Sequence, residues 1–180
     1  MAMEKKEKEG DKMNALPKEW EKIKLGEKIS LEYGHGLSEK ERKEGQYLVY
    51  GSNGVVGKHS NFLVNGPGII LGRKGTIGAV VWSDKNFWPI DTTYFVKLKD
   101  KKVNLKWLYY KLISLKLMKL NTATGTPGLN RDLIYVQETF FPKNPLEQQS
   151  ISEILSSVDD AISIVERERD EQSNGSRLAS

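Results

Sequence analysis

The chain has 180 residues, 38% of them hydrophobic, no cysteine and a formal net charge of +4, which suits one domain with an extension. Disulfides and thiolate-held metals are excluded, no apolar run reaches the length of a membrane span, and Met1 to Ala15 lack the apolar core of a secretion signal. The expectation is a cytoplasmic protein with no membrane partner. Charge is unevenly spread: residues 25–145 hold 18 basic and 10 acidic side chains, whereas residues 146–180 hold 3 and 8. A basic globular part next to an acidic tail element suggests one surface for an anion and another for a different partner.

Residues 1–15 are mostly Lys, Glu, Asp, Gly and Met and are expected to form a disordered charged arm. Order should begin at Leu16-Pro17, with Trp20, Ile23 and Leu25 as the first core anchors. Ile29, Leu31 and Tyr33 alternate with Ser30 and Glu32, a strand pattern closed by Gly34-His35-Gly36. Ser38 to Lys43 is polar, a loop or short helix, and Gln46 to Tyr50 returns to strand character.

From Gly51 to Tyr94 eight glycines separate short apolar runs, the mark of tight turns between short strands. In Leu71-Gly72-Arg73-Lys74-Gly75-Thr76-Ile77 two apolar strands flank a short basic tip, predicted to hold Arg73 and Lys74 out in solvent. Trp82, Phe87, Trp88 and Tyr94 read as core, and Pro89-Ile90-Asp91 as a structural corner. Thr92 to Leu98 alternates as a strand.

Asn104 is a good N-cap for a helix to about Lys119, with Leu105, Leu108, Tyr109 and Leu112 at helical spacing. Thr122 to Asn130 is a Thr/Gly/Pro loop, and Leu133 to Phe141 ends in an apolar strand stopped by Pro142. The last helix starts at Asn144 as cap, with Pro145 in first position and Glu147 placed for a capping box. Ile151, Ile154, Val158, Ala161 and Val165 repeat at heptad spacing, widened by Leu155 and Ile162, and acidic residues flank this seam. The helix is expected to end near Gln172, leaving 173–180 as a flexible tail. The fold class is therefore α+β: a glycine-rich, twisted, mostly antiparallel sheet domain with packed helices over 16–143, then an amphipathic heptad helix over 144–172.

Signals of catalysis are missing. His35 and His59 are the only histidines, and no carboxylate spacing supports a metal site. There is no phosphate-binding loop, no dinucleotide fingerprint and no nucleophile elbow. The chain reads as a binding protein without cofactor or catalytic site. A non-DNA interaction domain assembling through the heptad helix, and a small nuclease with a cryptic carboxylate site, stand as alternatives.

Three blocks resemble the specificity (S) subunit of type I restriction–modification enzymes, in its target recognition domain. The first is Leu16-Pro17-Lys18-Glu19-Trp20 with Ile23-Lys24-Leu25-Gly26-Glu27. The second runs from Gly66 to Gly78 and on into Phe87-Trp88-Pro89-Ile90-Asp91-Thr92-Thr93-Tyr94. The third is Thr124-Gly125-Thr126-Pro127-Gly128-Leu129-Asn130 with Asp132-Leu133, then Pro142 and Pro145-Leu146-Glu147-Gln148-Gln149-Ser150-Ile151.

The resemblance implies a domain that reads half of a split target in double-stranded DNA, and a helix that docks modification subunits. Methyl transfer with S-adenosylmethionine, and ATP- and Mg-dependent cleavage, would belong to the partner modification and restriction subunits. A full S subunit carries two recognition domains and two long helices, so this chain resembles a half-subunit, a two-fold dimer or a truncated product. Two-fold pairing implies a palindromic, gapped target. The DNA-contact candidates are Arg73, Lys74 and Thr76 on the tip, then Lys58 and His59. Tyr33, His35, Thr124, Thr126 and Asn130 complete the set.

Overall fold

The computed structural model describes residues 17–120 and 128–178. The arm over 1–15 and the loop candidates Thr124 and Thr126 lie outside them. Strand β2 (Ile29–Tyr33) buries Ile29 and Leu31 and leaves Ser30 and Glu32 half-exposed, as its alternation requires. It pairs antiparallel with β8 (Thr93–Leu98), placing Tyr33 opposite Tyr94 and Ile29 opposite Leu98. β8 pairs with β5 (Gly68–Gly72), and β5 with β6 (Val80–Ser83), so the first sheet has the antiparallel order β2-β8-β5-β6.

β5 does not alternate because both its faces are covered. Ile69 and Leu71 join the larger core with Leu31, Tyr94, Trp107 and Leu112, while Ile70 joins a smaller core with Tyr50, Phe87 and Phe95. A second sheet has the order β4-β3-β7. In it β3 (Tyr47–Gly51) is antiparallel to β4 (Gly54–His59) and parallel to β7 (Phe87–Pro89). β1 (Trp20–Lys24) and β9 (Glu138–Pro142) form a separate antiparallel pair.

A single turn, α1 (Leu25–Lys28), follows β1. Helix α2 (Leu105–Ser114) starts as expected: the Asn104 side-chain oxygen accepts the Trp107 N–H at 2.9 Å. It ends earlier than expected, at Ser114, and does not reach Lys119. Lys116 turns to φ 50° and a 3-10 turn occupies Leu117–Leu120. The cause lies in tertiary contact. The loop after β5 lays Gly78 against the backbone of Leu117 and Met118, where a Cβ would collide with the Met118 nitrogen.

The segment from Leu133 to Phe141 ends in a strand as expected, and its beginning is helical. The Asn130 side chain accepts the Asp132 N–H at 2.8 Å and so opens α3 (Arg131–Tyr135). Only Glu138–Pro142 is extended, with Pro142 its last residue and not a stop beyond it.

The long helix α4 (Pro145–Leu178) begins where predicted, the Asn144 side chain accepting the Leu146 N–H at 3.0 Å. Glu147, expected to complete a capping box, instead accepts the indole N–H of Trp20 at 2.7 Å. Buried Gln148 latches the helix root. It donates to the Pro142 carbonyl at 2.8 Å and accepts the Asn104 N–H at 2.7 Å. Further along, the Tyr110 hydroxyl donates to Asp159 Oδ2 at 2.8 Å.

Gln148, Ser152, Ser156 and Asp159 thus make the docked edge. The heptad seam lies roughly a third of a turn round the helix from it, at about 100° per residue. Ile151 alone of the seam packs on the domain core, while Ile154, Leu155, Val158, Ile162 and Val165 are exposed, as is Ala161. The helix continues to Leu178, six residues beyond the expected end at Gln172. Ser, Asn and Gly inside a helix cost at most about 1 kcal/mol each, too little to force termination.

Candidate nucleic-acid interface

The strand registers bring six strand ends to one end of the domain. β2 ends there at Tyr33, β5 at Gly72, β3 at Gly51 and β7 at Pro89, and β4 and β8 begin there. Backbone bonds stitch these ends together. The Arg73 and Lys74 N–H groups donate to the Thr92 carbonyl at 2.9 and 3.1 Å, the Leu129 N–H donates to the Arg73 carbonyl at 2.9 Å, and the His35 N–H donates to the Pro89 carbonyl at 3.0 Å. The Ser52 hydroxyl accepts the Thr76 N–H at 3.3 Å, fastening the β3–β4 turn to the loop after β5.

That loop is a seven-residue excursion, 73–79, between β5 and β6, longer than a tight hairpin tip. Gly72 is required at its start because a Cβ there would run into the Thr76 carbonyl oxygen. Lys74 and Thr76 are exposed on it, as expected. Arg73 is folded back and only half-exposed, contrary to the expectation that it stands out in solvent. Its Nε and Nη2 donate to the Asp91 carbonyl at 3.2 and 2.8 Å, and its guanidinium lies 5.2 Å from the centre of the Tyr33 ring. One edge of the guanidinium is therefore occupied, and the edge formed by Nη1 and the second Nη2 hydrogen is left for a ligand.

Tyr33 is 46% exposed and rests on buried Tyr94, with ring centres 5.1 Å apart. A second guanidinium, that of Arg131 on α3, lies 5.1 Å from the same ring and makes one long contact, 3.4 Å, with the Leu31 carbonyl. Tyr94 underlies the group and donates its hydroxyl to the Leu129 carbonyl at 2.9 Å. Burial foremost, with Tyr33 adding to it, pushes the Tyr94 hydroxyl up to about 12, against the pull of Arg73 and Arg131.

Ion pairs among the described residues join Lys22 to Glu138, Lys28 to Glu21 and Asp100, and Arg169 to Asp170. None involves Arg73, Lys74 or Arg131. These three cations therefore have no ion-pair partner among the described residues, and backbone bonds hold the segments that carry them in place.

The other candidates are sorted by the same geometry. His35 is exposed beside Tyr33, and its carbonyl accepts the Trp88 indole N–H at 3.0 Å. Asn130 is exposed, with its side-chain oxygen engaged as the α3 cap. Lys58 is exposed but sits near the far end of β4, opposite Leu48 and away from the turn at Gly51. His59 is corrected: it is buried, its Nδ1 accepts the Lys43 N–H at 3.0 Å, and its ring packs on Trp88. It holds the loop before β3 and offers no surface to a ligand.

Arg131 and Ser52 belong to the face and were missed by sequence reasoning. The only signal for Arg131 was a basic residue directly after the Thr/Gly/Pro loop. Among the described residues no three His, Asp or Glu side chains gather as a metal site would need. No helix there is long and apolar enough to cross a membrane.

Fold and face together define a class: a sheet domain with one basic looped end and a projecting helix with an exposed apolar edge. The chain belongs to the family of the type I restriction modification DNA specificity domain, whose profile matches residues 17–172. Three solved structures are similar. An S subunit of a type I restriction–modification system from M. genitalium is 25% identical with a TM-score of 0.71, over 82% of this chain and 40% of that one. A chain from a structure concerned with complex assembly and conformational transition of the type I R-M system is 15% identical with a TM-score of 0.69, over 88% and 43%. The HsdS subunit from Thermoanaerobacter tengcongensis is 16% identical with a TM-score of 0.64, over 85% and 40%. The chain therefore spans about two-fifths of the length of the structures it matches. Comparison with curated proteins finds no match.

Proposed function

We propose that this chain reads one half of a bipartite target in double-stranded DNA, as the specificity component of a type I restriction–modification system. The observation that carries this reading is the cluster of Arg73, Lys74 and Arg131 around Tyr33 at one end of the first sheet, none of them in an ion pair among the described residues. Clustered cations on loops braced by a rigid sheet suit phosphate contacts for register and base-edge contacts for sequence. The M. genitalium S subunit, at 25% identity, supports the same assignment.

Helix α4 serves assembly in this reading. Its exposed seam of Ile154, Leu155, Val158, Ala161, Ile162 and Val165 receives a second helix, from another copy of the chain or from a modification subunit. Methyl transfer from S-adenosylmethionine, and ATP-driven cleavage, then fall to the partner subunits, while the chain itself supplies address and docking.

Selection of a randomised duplex library by the purified chain at moderate salt tests the proposal. Enrichment of a sequence motif, with affinity falling steeply as salt rises, is the expected result. Binding that ignores sequence and salt would overturn it. Metal-dependent cleavage of plain duplex by the chain alone would revive the nuclease alternative.

A further inference from the structure

We infer that Arg131 and Arg73 form one guanine-reading head mounted on Tyr33, and that Arg131 is a specificity-determining residue. The inference rests on the DNA-reading function proposed above and adds which side chains read a base and which base they read.

Three observations carry it. Both guanidiniums lie within about 5 Å of the same ring, at 5.2 and 5.1 Å from its centre. That ring is fixed from below, since Tyr33 packs on Tyr94 and the Tyr94 hydroxyl is tied to the Leu129 carbonyl. Each arginine keeps donors in reserve. Arg73 spends one edge on the Asp91 carbonyl, and Arg131 makes only the 3.4 Å contact with Leu31. Neither has a carboxylate partner among the described residues.

Stacking against an aromatic ring restricts the plane of a guanidinium, and little rotamer freedom remains to be lost on binding. A fixed planar fork is what a base edge needs. Guanine is the one base that offers two adjacent acceptors, O6 and N7, in the major groove. A phosphate makes no such demand on the plane. Exposed Lys74, with its flexible stem, fits that role better than either arginine.

The test compares the full chain with Arg131→Ala and Arg131→Lys in the same duplex selection, then measures affinity for the selected duplex with single guanines replaced by 7-deazaguanine. The wild-type chain should lose about tenfold to a hundredfold at one guanine when N7 is removed, the range of one hydrogen bond from a charged donor. Arg131→Ala should be indifferent to that replacement. Arg131→Lys should keep its affinity for random duplex while its guanine preference weakens, because lysine lacks the fixed planar fork, which separates an impaired reader from a misfolded chain. Equal losses on selected and random duplex would place Arg131 on a phosphate and overturn the inference, as would an unchanged motif in both variants. A wild-type chain that selects no motif would remove the DNA-reading function itself, before any variant is compared.

Discussion

At the scale of single residues, the distinction between Arg73 and its neighbours has a measurable consequence. With its Nε edge held by the Asp91 carbonyl, Arg73 presents a fixed fork, and a bidentate base contact is worth about 1–3 kcal/mol. Arg73→Ala should therefore lose that much on the selected target and much less on random duplex, measured by titration at one salt concentration. Equal losses would show that it holds a phosphate.

Tyr94 gives a second test. Its hydroxyl is held near 12 against an ordinary value of 10.0, burial being the main cause. The folded state binds that proton more tightly than the unfolded chain. The stabilisation is whole below about pH 10 and lost as pH rises toward 12. Tyr94→Phe should flatten the decline of stability over that window in urea unfolding; an unchanged slope would assign the decline to other groups.

The loop that carries Arg73 was legible because glycines flank its basic pair, but the fold-back of Arg73 onto the Asp91 carbonyl was not. Arg131 was not, because its relation to Tyr33 joins residues about a hundred positions apart and no local pattern records it. His59 failed for a similar reason. The partner of its buried ring is the Lys43 N–H, on a loop whose polar composition gave no hint of a bond across to β4.

At the scale of elements, local signals served best where an element caps itself. Asn104 and Asn144 start their helices as the sequence pattern predicts, and β2 occupies the expected Ile29–Tyr33. They served worst where tertiary contact decides. Gly78 pressing on Leu117–Met118 ends α2, and Trp20 draws Glu147 away from its capping role across 127 positions.

The root of α4 depends on Gln148, which satisfies one backbone donor and one backbone acceptor from two different segments. Gln148→Leu would strand the Asn104 N–H and the Pro142 carbonyl in a buried place. It should destabilise the chain by about 1–3 kcal/mol. Chemical denaturation should show a lower midpoint at unchanged slope, whereas an unchanged midpoint would mean that water replaces both bonds. Further out, Ile154→Asp and Val158→Asp change side chains that are 66% and 51% exposed. Thermal stability should stay within about 0.5 kcal/mol of wild type, as for other surface changes. Light scattering and partner pull-down should nonetheless show assembly abolished. Unchanged mass together with normal partner binding would remove the seam from the assembly function.

At the scale of the whole molecule, β8 separates the two surfaces. It begins at the basic face with Thr93 and Tyr94, and the segment that follows it reaches Asn104, which Gln148 ties to the root of α4. The proposed reading face and the root of α4 therefore sit at opposite ends of one strand, and the two proposed roles should be separable by mutation. The charge pattern made this division legible in outline, basic over 25–145 and acidic beyond; the strand that divides the two surfaces needed the fold. If α4 seams pair two chains about a two-fold axis, their basic faces address two half-sites in inverted order. The wild-type chain should then select a gapped inverted repeat, and the Ile154→Asp/Val158→Asp chain a single ungapped half-site of the same sequence. Linking two such contacts raises apparent affinity by about 10²–10⁴ over one, so the double variant should bind the gapped target more weakly by a factor in that range. Its affinity for an isolated half-site should match that of wild type. A double variant that still selects the gapped repeat would mean that the spacing is set within the DNA or by another surface, and not by α4.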